Sequence, residues 1–291
     1  MAEITVSCCC KINLFLQVTG KREDNYHTLQ TLFLPVKGLA DEIVCRFDAA
    51  DGIEAVSLQS DVPSGKDNLI YRTAECYAQK TGIAPSWSFT LYKRVPVAAG
   101  LGGGSSNAAA VLKALNNFYQ KLNADELHEL AATIGADVPF FLDSVPAWAG
   151  GIGDELEAVR ANYPPLYLVL VNPGFPVGVR WSYGKLDSSK FAPADRAAKE
   201  KLTSALVSGD VKTISELCRN DLGKALFVKF PQLSLLRRCM LEAGAACVQV
   251  SGSGPTLFAV CESKTLQSKV ADKVRKEFEN NSGIRVFECE A

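Results

Sequence analysis

Along the first twenty residues apolar side chains fall on every second position: Ile4, Val6, Cys8, Cys10, Ile12, Leu14, Leu16 and Val18. A period of two predicts one long β-strand, or two abutting strands, with that face in the core. The odd positions, Thr5, Ser7, Cys9, Lys11, Asn13, Phe15 and Gln17, project from the opposite face. Further apolar runs predict strands over 29–36, 42–47, 87–92, 166–171, 246–250, 256–261 and 284–288. Helical spacing predicts helices over 68–81, 105–120, 125–134, 195–207, 211–221, 232–243 and 264–279. The mixed order of these elements reads as an α+β chain with two layers.

One junction in that pattern stands apart. Residues 95–110 read Val-Pro-Val-Ala-Ala-Gly-Leu-Gly-Gly-Gly-Ser-Ser-Asn-Ala-Ala-Ala and run into a helix with apolar positions at Ala108, Val111, Leu112, Leu115 and Phe118. Glycines 100, 102, 103 and 104 allow the close approach and positive φ that a backbone wrapped around an anion requires. The helix adds unpaired N–H groups and the positive end of its dipole. From Cys76 to Ala124 there is no Asp or Glu, whereas Lys80, Lys93, Arg94, Lys113 and Lys121 are all basic. Two readings fit: a phosphate cradle, or a glycine turn that lets a helix pack closely. The cradle reading expects Gly103→Val to weaken nucleotide binding in a protein that stays folded. The segment is neither a Walker A sequence nor a Rossmann fingerprint.

Length and charge narrow the class. At 291 residues the chain suits two domains. With 47% apolar and 22% charged residues and a net charge of −1, it has the balance of an ordinary globular protein. That charge argues against broad nucleic-acid or anionic-membrane binding. No apolar run reaches membrane-spanning length, and Met1-Ala2-Glu3 does not begin a signal peptide, so the expected location is cytoplasmic. Ten cysteines without a C-x-x-C pair, and only two histidines, speak for reduced thiols rather than zinc.

Other candidates are weaker alone. Lys11 and Asn13 share one strand face, and Lys11 is the only charge between Glu3 and Lys21. A solvent-facing lysine would look the same. Asp137 follows a helix that Gly135 should end, and Pro139 should keep the helix from resuming. It is either a partly desolvated carboxylate or a plain turn residue. Lys21-Arg22-Glu23-Asp24-Asn25-Tyr26-His27 reads as a polar turn in which Asn25 tolerates positive φ and Tyr26 and His27 offer a stacking surface. Residues 250–260 hold a second glycine turn with hydroxyls, between two predicted strands.

Three of these segments, residues 10–16 (Cys-Lys-Ile-Asn-Leu-Phe-Leu), 96–110 and 250–257 (Val-Ser-Gly-Ser-Gly-Pro-Thr-Leu), together resemble the three motifs of the GHMP kinases, in the family's order. Among its members, the chain is most similar to those that phosphorylate the 2-hydroxyl of 4-diphosphocytidyl-2-C-methyl-D-erythritol in non-mevalonate isoprenoid precursor synthesis. The segments that carry this are Gly20 to Leu29, Asp67-Asn68-Leu69, Leu101–Ala109 without a gap, and Gly135 to Pro139.

The resemblance implies an α+β, two-domain GHMP kinase fold. Its N-terminal domain, over 1–160, would be like the second domain of ribosomal protein S5; the C-terminal domain, over 161–291, would be ferredoxin-like. It implies ATP and Mg²⁺, with Lys11 and Asp137 as the catalytic pair, Asp137 being the general base. It puts the triphosphate on Pro96, Val97, Ala98, Ala99, Gly100, Leu101, Gly102, Gly103, Gly104, Ser105 and Ser106, with Asn68 and Lys93 near the nucleotide. Asn13, Tyr26 and His27 would hold the acceptor. Metal ligands are not specified beyond the hydroxyls of Ser105 or Ser106. The expected partner is a small-molecule substrate, with no nucleic acid and no membrane, in a monomer or weak homodimer. The alternatives are another GHMP small-molecule kinase, or a non-catalytic nucleotide sensor on this fold. The chain departs from the family pattern at Cys9, where Pro is usual, at Asn25, where Gly is usual, and at Val179, where Thr is frequent.

Overall fold

The computed structural model describes residues 2–48, 51–59, 62–63 and 65–291; Met1, part of the expected unsignalled start, lies outside them. Strand β1 (Ala2–Lys21) is continuous through Cys8-Cys9-Cys10 and buries Cys8, Cys10, Ile12, Leu14, Leu16 and Val18, as the alternation predicts. Its odd face is buried as well from Lys11 to Gln17, so the solvent-facing option for Lys11 is overturned: that residue is 4% exposed. Strand β2 (His27–Phe47) merges two predicted strands, because the polar break at Lys37-Gly38 still pairs, through Lys37, with Glu290 near the C-terminus.

The half-exposed β3 (Gly52–Ser57) was not legible as a strand and is followed by α1 (Leu69–Thr81), β4 (Ser86–Tyr92) and α2 (Gly103–Tyr119). Next come α3 (Ala124–Ile134), with an Asn123/Glu126 capping box, and α4 (Val138–Asp143). The last corrects the expectation for Pro139. In the first turn of a helix proline lacks only an N–H that would have no partner, so the helix resumes through it.

Strands β5 (Ala147–Gly150), β6 (Glu155–Ala158) and β7 (Tyr167–Asn172) lead to α5 (Val179–Tyr183), α6 (Arg196–Ser208) and α7 (Val211–Leu217). The helix predicted over 211–221 stops early, since β8 (Arg219–Asn220) pairs in parallel with Phe15 and Leu16 of β1. The chain closes with α8 (Gly223–Lys229), α9 (Pro231–Glu242), β9 (Cys247–Val250), β10 (Leu257–Cys261), α10 (Lys264–Glu277) and β11 (Arg285–Glu290).

These elements form two compact units, one of residues 1–10, 39–97 and 102–144, the other of 11–38, 98–101 and 145–291. The units are discontinuous, whereas the sequence reading sets one boundary at 160/161. In the first, β4 pairs antiparallel with the end of β2 and parallel with β3. In the second, β7 lies between β10 and β11, antiparallel to both, and β9 flanks β10. Val169, Val171, Leu236, Met240, Val248, Ala259 and Val270 belong to one core of this second unit, where strands meet α9 and α10. Among the described residues no helix is long and apolar enough to cross a membrane. All ten cysteines are unbridged. Burial pushes the thiols of Cys8, Cys45, Cys261 and Cys289 up to about 12, which makes them inert apolar fillers.

Candidate active site

In the first unit the glycine-rich segment enters α2 through Gly102, whose φ of 69° is left-handed and which has no side chain to cap the helix. The first helical bond runs from Ser106 N–H to the Gly102 carbonyl at 2.9 Å. The N–H groups of Gly103, Gly104 and Ser105 precede it and have no intrahelical acceptor. Gly103 is fixed by packing: a Cβ there would meet Lys93 Nζ at 2.8 Å and Val95 Cγ1 at 3.0 Å. Gly104 is exposed, and its Cβ would find only Leu69 Cδ2, at 3.8 Å. Pro96, Gly103 and Ser106 are buried; Val97, Gly102 and Ser105 are half-buried.

The acid-free stretch around this segment is acid-free only in sequence. Asp41, from β2, is fully buried and accepts four hydrogen bonds. Lys93 Nζ and Asn107 Nδ2 (3.0 Å) donate to Oδ2; Arg94 N (2.7 Å) and Val95 N (2.8 Å) donate to Oδ1. The Lys93 ammonium thus has a buried carboxylate as its counterion. No sequence signal marked Asp41, because 52 to 66 positions separate it from these partners.

Asn68 is also engaged. Its Oδ1 caps α1 by accepting from Ile70 N at 2.8 Å, and its Nδ2 donates to the Pro63 carbonyl at 3.0 Å. Asp137 is half-buried at the N-terminus of α4 and makes no side-chain cap bond. Gly135 ends α3 as expected, its N–H bonded to the Ala131 carbonyl. Lys113 Nζ meets the Leu142 carbonyl, at the other end of α4, at 3.0 Å.

In the second unit Lys11 and Asn13 do act as a pair. Lys11 Nζ donates to Asn13 Oδ1 at 2.6 Å and lies 4.6 Å from the centre of the Phe33 ring. Asn13 Nδ2 donates to Thr31 Oγ1 at 2.9 Å, and Thr31 Oγ1 donates to the Phe15 carbonyl at 2.6 Å. A buried chain of this kind fixes each rotamer, so the amide oxygen of Asn13 is aimed at the ammonium. Thr31 was not singled out from sequence; its place opposite β1 depends on strand register.

The middle of the glycine-rich segment, Ala98–Leu101, is held in this same unit. Lys11 N donates to the Leu101 carbonyl (3.0 Å), Ser251 Oγ to the Gly100 carbonyl (2.8 Å) and Thr256 N to the Ala99 carbonyl (3.3 Å). Gly100 has φ +77°, and a Cβ would overlap the Ser251 carbonyl oxygen and stand 2.9 Å from Gly254 N. Asn220 Nδ2 ties the second turn down through the carbonyls of Val250 (2.7 Å) and Gly252 (2.8 Å).

The turn before β2 is built as expected, with Asn25 at φ 68°. Tyr26 is 61% exposed. His27 packs against Tyr183 (5.1 Å between ring centres) and edge-on to Phe191 (5.8 Å). Burial, with the nearby Lys21 charge, holds its imidazole below the ordinary pKa, so it is neutral at pH 7. A cavity of about 790 Å³ adjoins Phe191, Leu186 and Val18; Lys185, Lys190, Arg219, Lys224 and Lys229 line it against only Asp187 and Asp221. Val179 opens α5 and is exposed, with no hydroxyl to offer.

Residues 68–144 match the family model for the GHMP kinases N terminal domain, and residues 202–280 that for GHMP kinases C terminal. A 4-diphosphocytidyl-2-C-methyl-D-erythritol kinase from Chlorobium luteolum is 37% identical over 286 residues, 97% of this chain and 96% of its own length. The protein of that name from Syntrophotalea carbinolica is 37% identical over 281 residues, 96% of each chain. A crystal structure of 4-(cytidine 5'-diphospho)-2C-methyl-D-erythritol kinase superposes with a TM-score of 0.81 at 33% identity, covering 99% of this chain and all of that one. Homoserine kinase from Cytophaga hutchinsonii shares the fold, with a TM-score of 0.78 at 20% identity over 99% of this chain and 94% of its own. The expected two-domain α+β fold is borne out.

Proposed function

The chain belongs to the GHMP kinases, and from that premise we propose that it moves the γ-phosphoryl group of ATP to the 2-hydroxyl of 4-diphosphocytidyl-2-C-methyl-D-erythritol, in isoprenoid precursor synthesis. The observation that carries this is the likeness, over 97% of the chain, to a relative named as a kinase of that compound. Homoserine kinase has the same fold, so the fold by itself selects no acceptor.

In this reading Asp137 takes the proton of the acceptor hydroxyl. The hydroxyl oxygen bonds to the γ-phosphorus as the bond to the β–γ bridging oxygen breaks, and ADP leaves. Lys11, aimed by Asn13, orients that hydroxyl and offsets negative charge. The unpartnered N–H groups of Gly103, Gly104 and Ser105 receive phosphate oxygens at the positive end of α2. Neutral His27, backed by Tyr183 and Phe191, suits a pyrimidine: the imidazole has one donor and one acceptor, and the rings give an apolar backing. The basic cavity beside Phe191 suits a ligand that also carries a diphosphate.

The Ser105 or Ser106 hydroxyl would hold a Mg²⁺ ion bound with the nucleotide, and that ion would supply charge neutralisation for the phosphates. This fits the side chains present. Among the described residues no group of three His, Cys, Asp or Glu could hold a metal, and the Asp41 carboxylate is fully engaged.

The test is ADP release with Mg·ATP and a panel of the cytidyl substrate, mevalonate and homoserine, for wild type and Asp137→Ala. Turnover is expected on the cytidyl substrate alone, with kcat lowered about 10²–10⁴-fold in the variant. Turnover on mevalonate or homoserine instead would assign another acceptor, and ATP binding without turnover would make the protein a sensor. Full activity in Asp137→Ala would remove the proposed base.

A further inference from the structure

We propose that Asp41 is a positioning residue for the nucleotide, acting through Lys93 and the two ends of the glycine-rich segment; the inference rests on ATP as the ligand of that segment. Asp41 binds both ends at once. Its Oδ1 fixes the N–H groups of Arg94 and Val95, where the chain leaves β4, and its Oδ2 fixes Asn107, in the second turn of α2. Residues 96–106 are the chain between those anchors. One rigid carboxylate therefore limits where that chain can run, which is how a binding loop is preorganised.

Charge points the same way. The Lys93 ammonium is packed beneath the start of α2, within 2.8 Å of where a Gly103 side chain would begin. A cation at the positive end of a helix is unfavourable there unless an anion compensates it. Asp41, fully buried, is that anion and holds the ammonium in one place. A buried ion pair contributes little net stability over an apolar pair of similar volume, so its use here is to fix geometry. Asn68, by contrast, caps α1 with its Oδ1 and holds the Pro63 carbonyl with its Nδ2.

The test compares Asp41→Asn, Lys93→Met, the double variant and Asn107→Ala. ATP affinity is read calorimetrically without acceptor, together with thermal unfolding and both KM values. Asp41→Asn is expected to weaken ATP binding tenfold or more while the acceptor KM stays within twofold. The double variant should be no worse than the poorer single one, since both changes break one arrangement. Asn107→Ala, which removes a single donor, should weaken ATP binding about threefold, and it carries the test if Asp41→Asn does not fold. The inference is overturned if melting falls with ATP affinity unchanged, if both KM values rise together, or if the two single effects multiply. Because binding is read without acceptor, a failure of the cytidyl substrate to react would count against the proposed function alone.

Discussion

The two glycine-rich turns look alike in sequence and differ in how their backbone groups are hydrogen-bonded in the structure. Both combine glycines with serines next to a regular element, and both are candidates for phosphate. In the turn over 250–256 the Ser251 hydroxyl, three of the N–H groups and the carbonyls of residues 250–253 already have protein partners. Ser251 gives its hydroxyl to Gly100 and its N–H to Thr256, Gly254 N–H goes to Ser251, and Thr256 N–H goes to Ala99. The carbonyls of Val250 and Gly252 are taken by Asn220, and that of Ser253 by Ser182. At Gly102–Ser105 the α2 N–H groups stand open instead. Glycine content is thus shared by an open helix N-terminus and by a turn braced through its own hydrogen bonds, and hydrogen-bond accounting separates them.

The largest effect is expected where the braced turn meets the segment it holds. Gly100→Ala would drive a methyl group into the backbone of Ser251 and Gly254 at a φ of +77°, and backbone atoms cannot swing aside as a side chain can. Overpacking and backbone strain together should cost about 3 kcal/mol or more, read by urea unfolding. A loss below about 1 kcal/mol would mean that the two segments are not locked together.

Next in size is a change that should separate folding from binding. Gly103→Val is not the clean probe the sequence offers, because its side chain would collide with Val95 and Lys93. Gly104 is the better position: exposed, helical and with room for a Cβ. Gly104→Ala should raise stability by up to about 1 kcal/mol through helix propensity. It should also weaken ATP tenfold or more, if phosphate oxygens approach that backbone. Unchanged affinity would return this turn to the class of its partner, a packing device.

What was legible in the sequence follows the range of the interactions. Alternation along residues 4–18 gave β1, and the spacing from Ala108 to Leu115 gave α2, because those patterns repeat locally. Pro139 misled because proline is a breaker only inside a helix, and composition does not say where the first turn lies. The burial of Lys11 was illegible, since Phe33, and Thr31 by way of Asn13, reach it only through strand register. Asp41 was missed for the same reason on a longer scale. The absence of acids from 76 to 124 gives no hint of the acid from β2 that lies beneath α2. His27 was legible as a residue type; its backing by Tyr183 and Phe191 was not.

The smallest effect bears most directly on whether the second turn is buttress or ligand site. Ser251→Ala removes one hydroxyl donor and leaves the Gly100 carbonyl without that bond, a loss of about 1 kcal/mol. If Ser251 acts only on the segment, its removal should loosen the hold at Gly100 slightly, lowering kcat/KM for ATP about two- to threefold. A hydroxyl bound directly to a phosphate oxygen would behave otherwise, because bonds to charged groups are worth about 1.5–3 kcal/mol. Stability would then be unchanged while kcat/KM fell tenfold or more. Unfolding and steady-state kinetics on the one variant therefore decide between the two roles, and a Ser251→Thr variant that restores stability and kcat/KM together would place the hydroxyl on the Gly100 carbonyl.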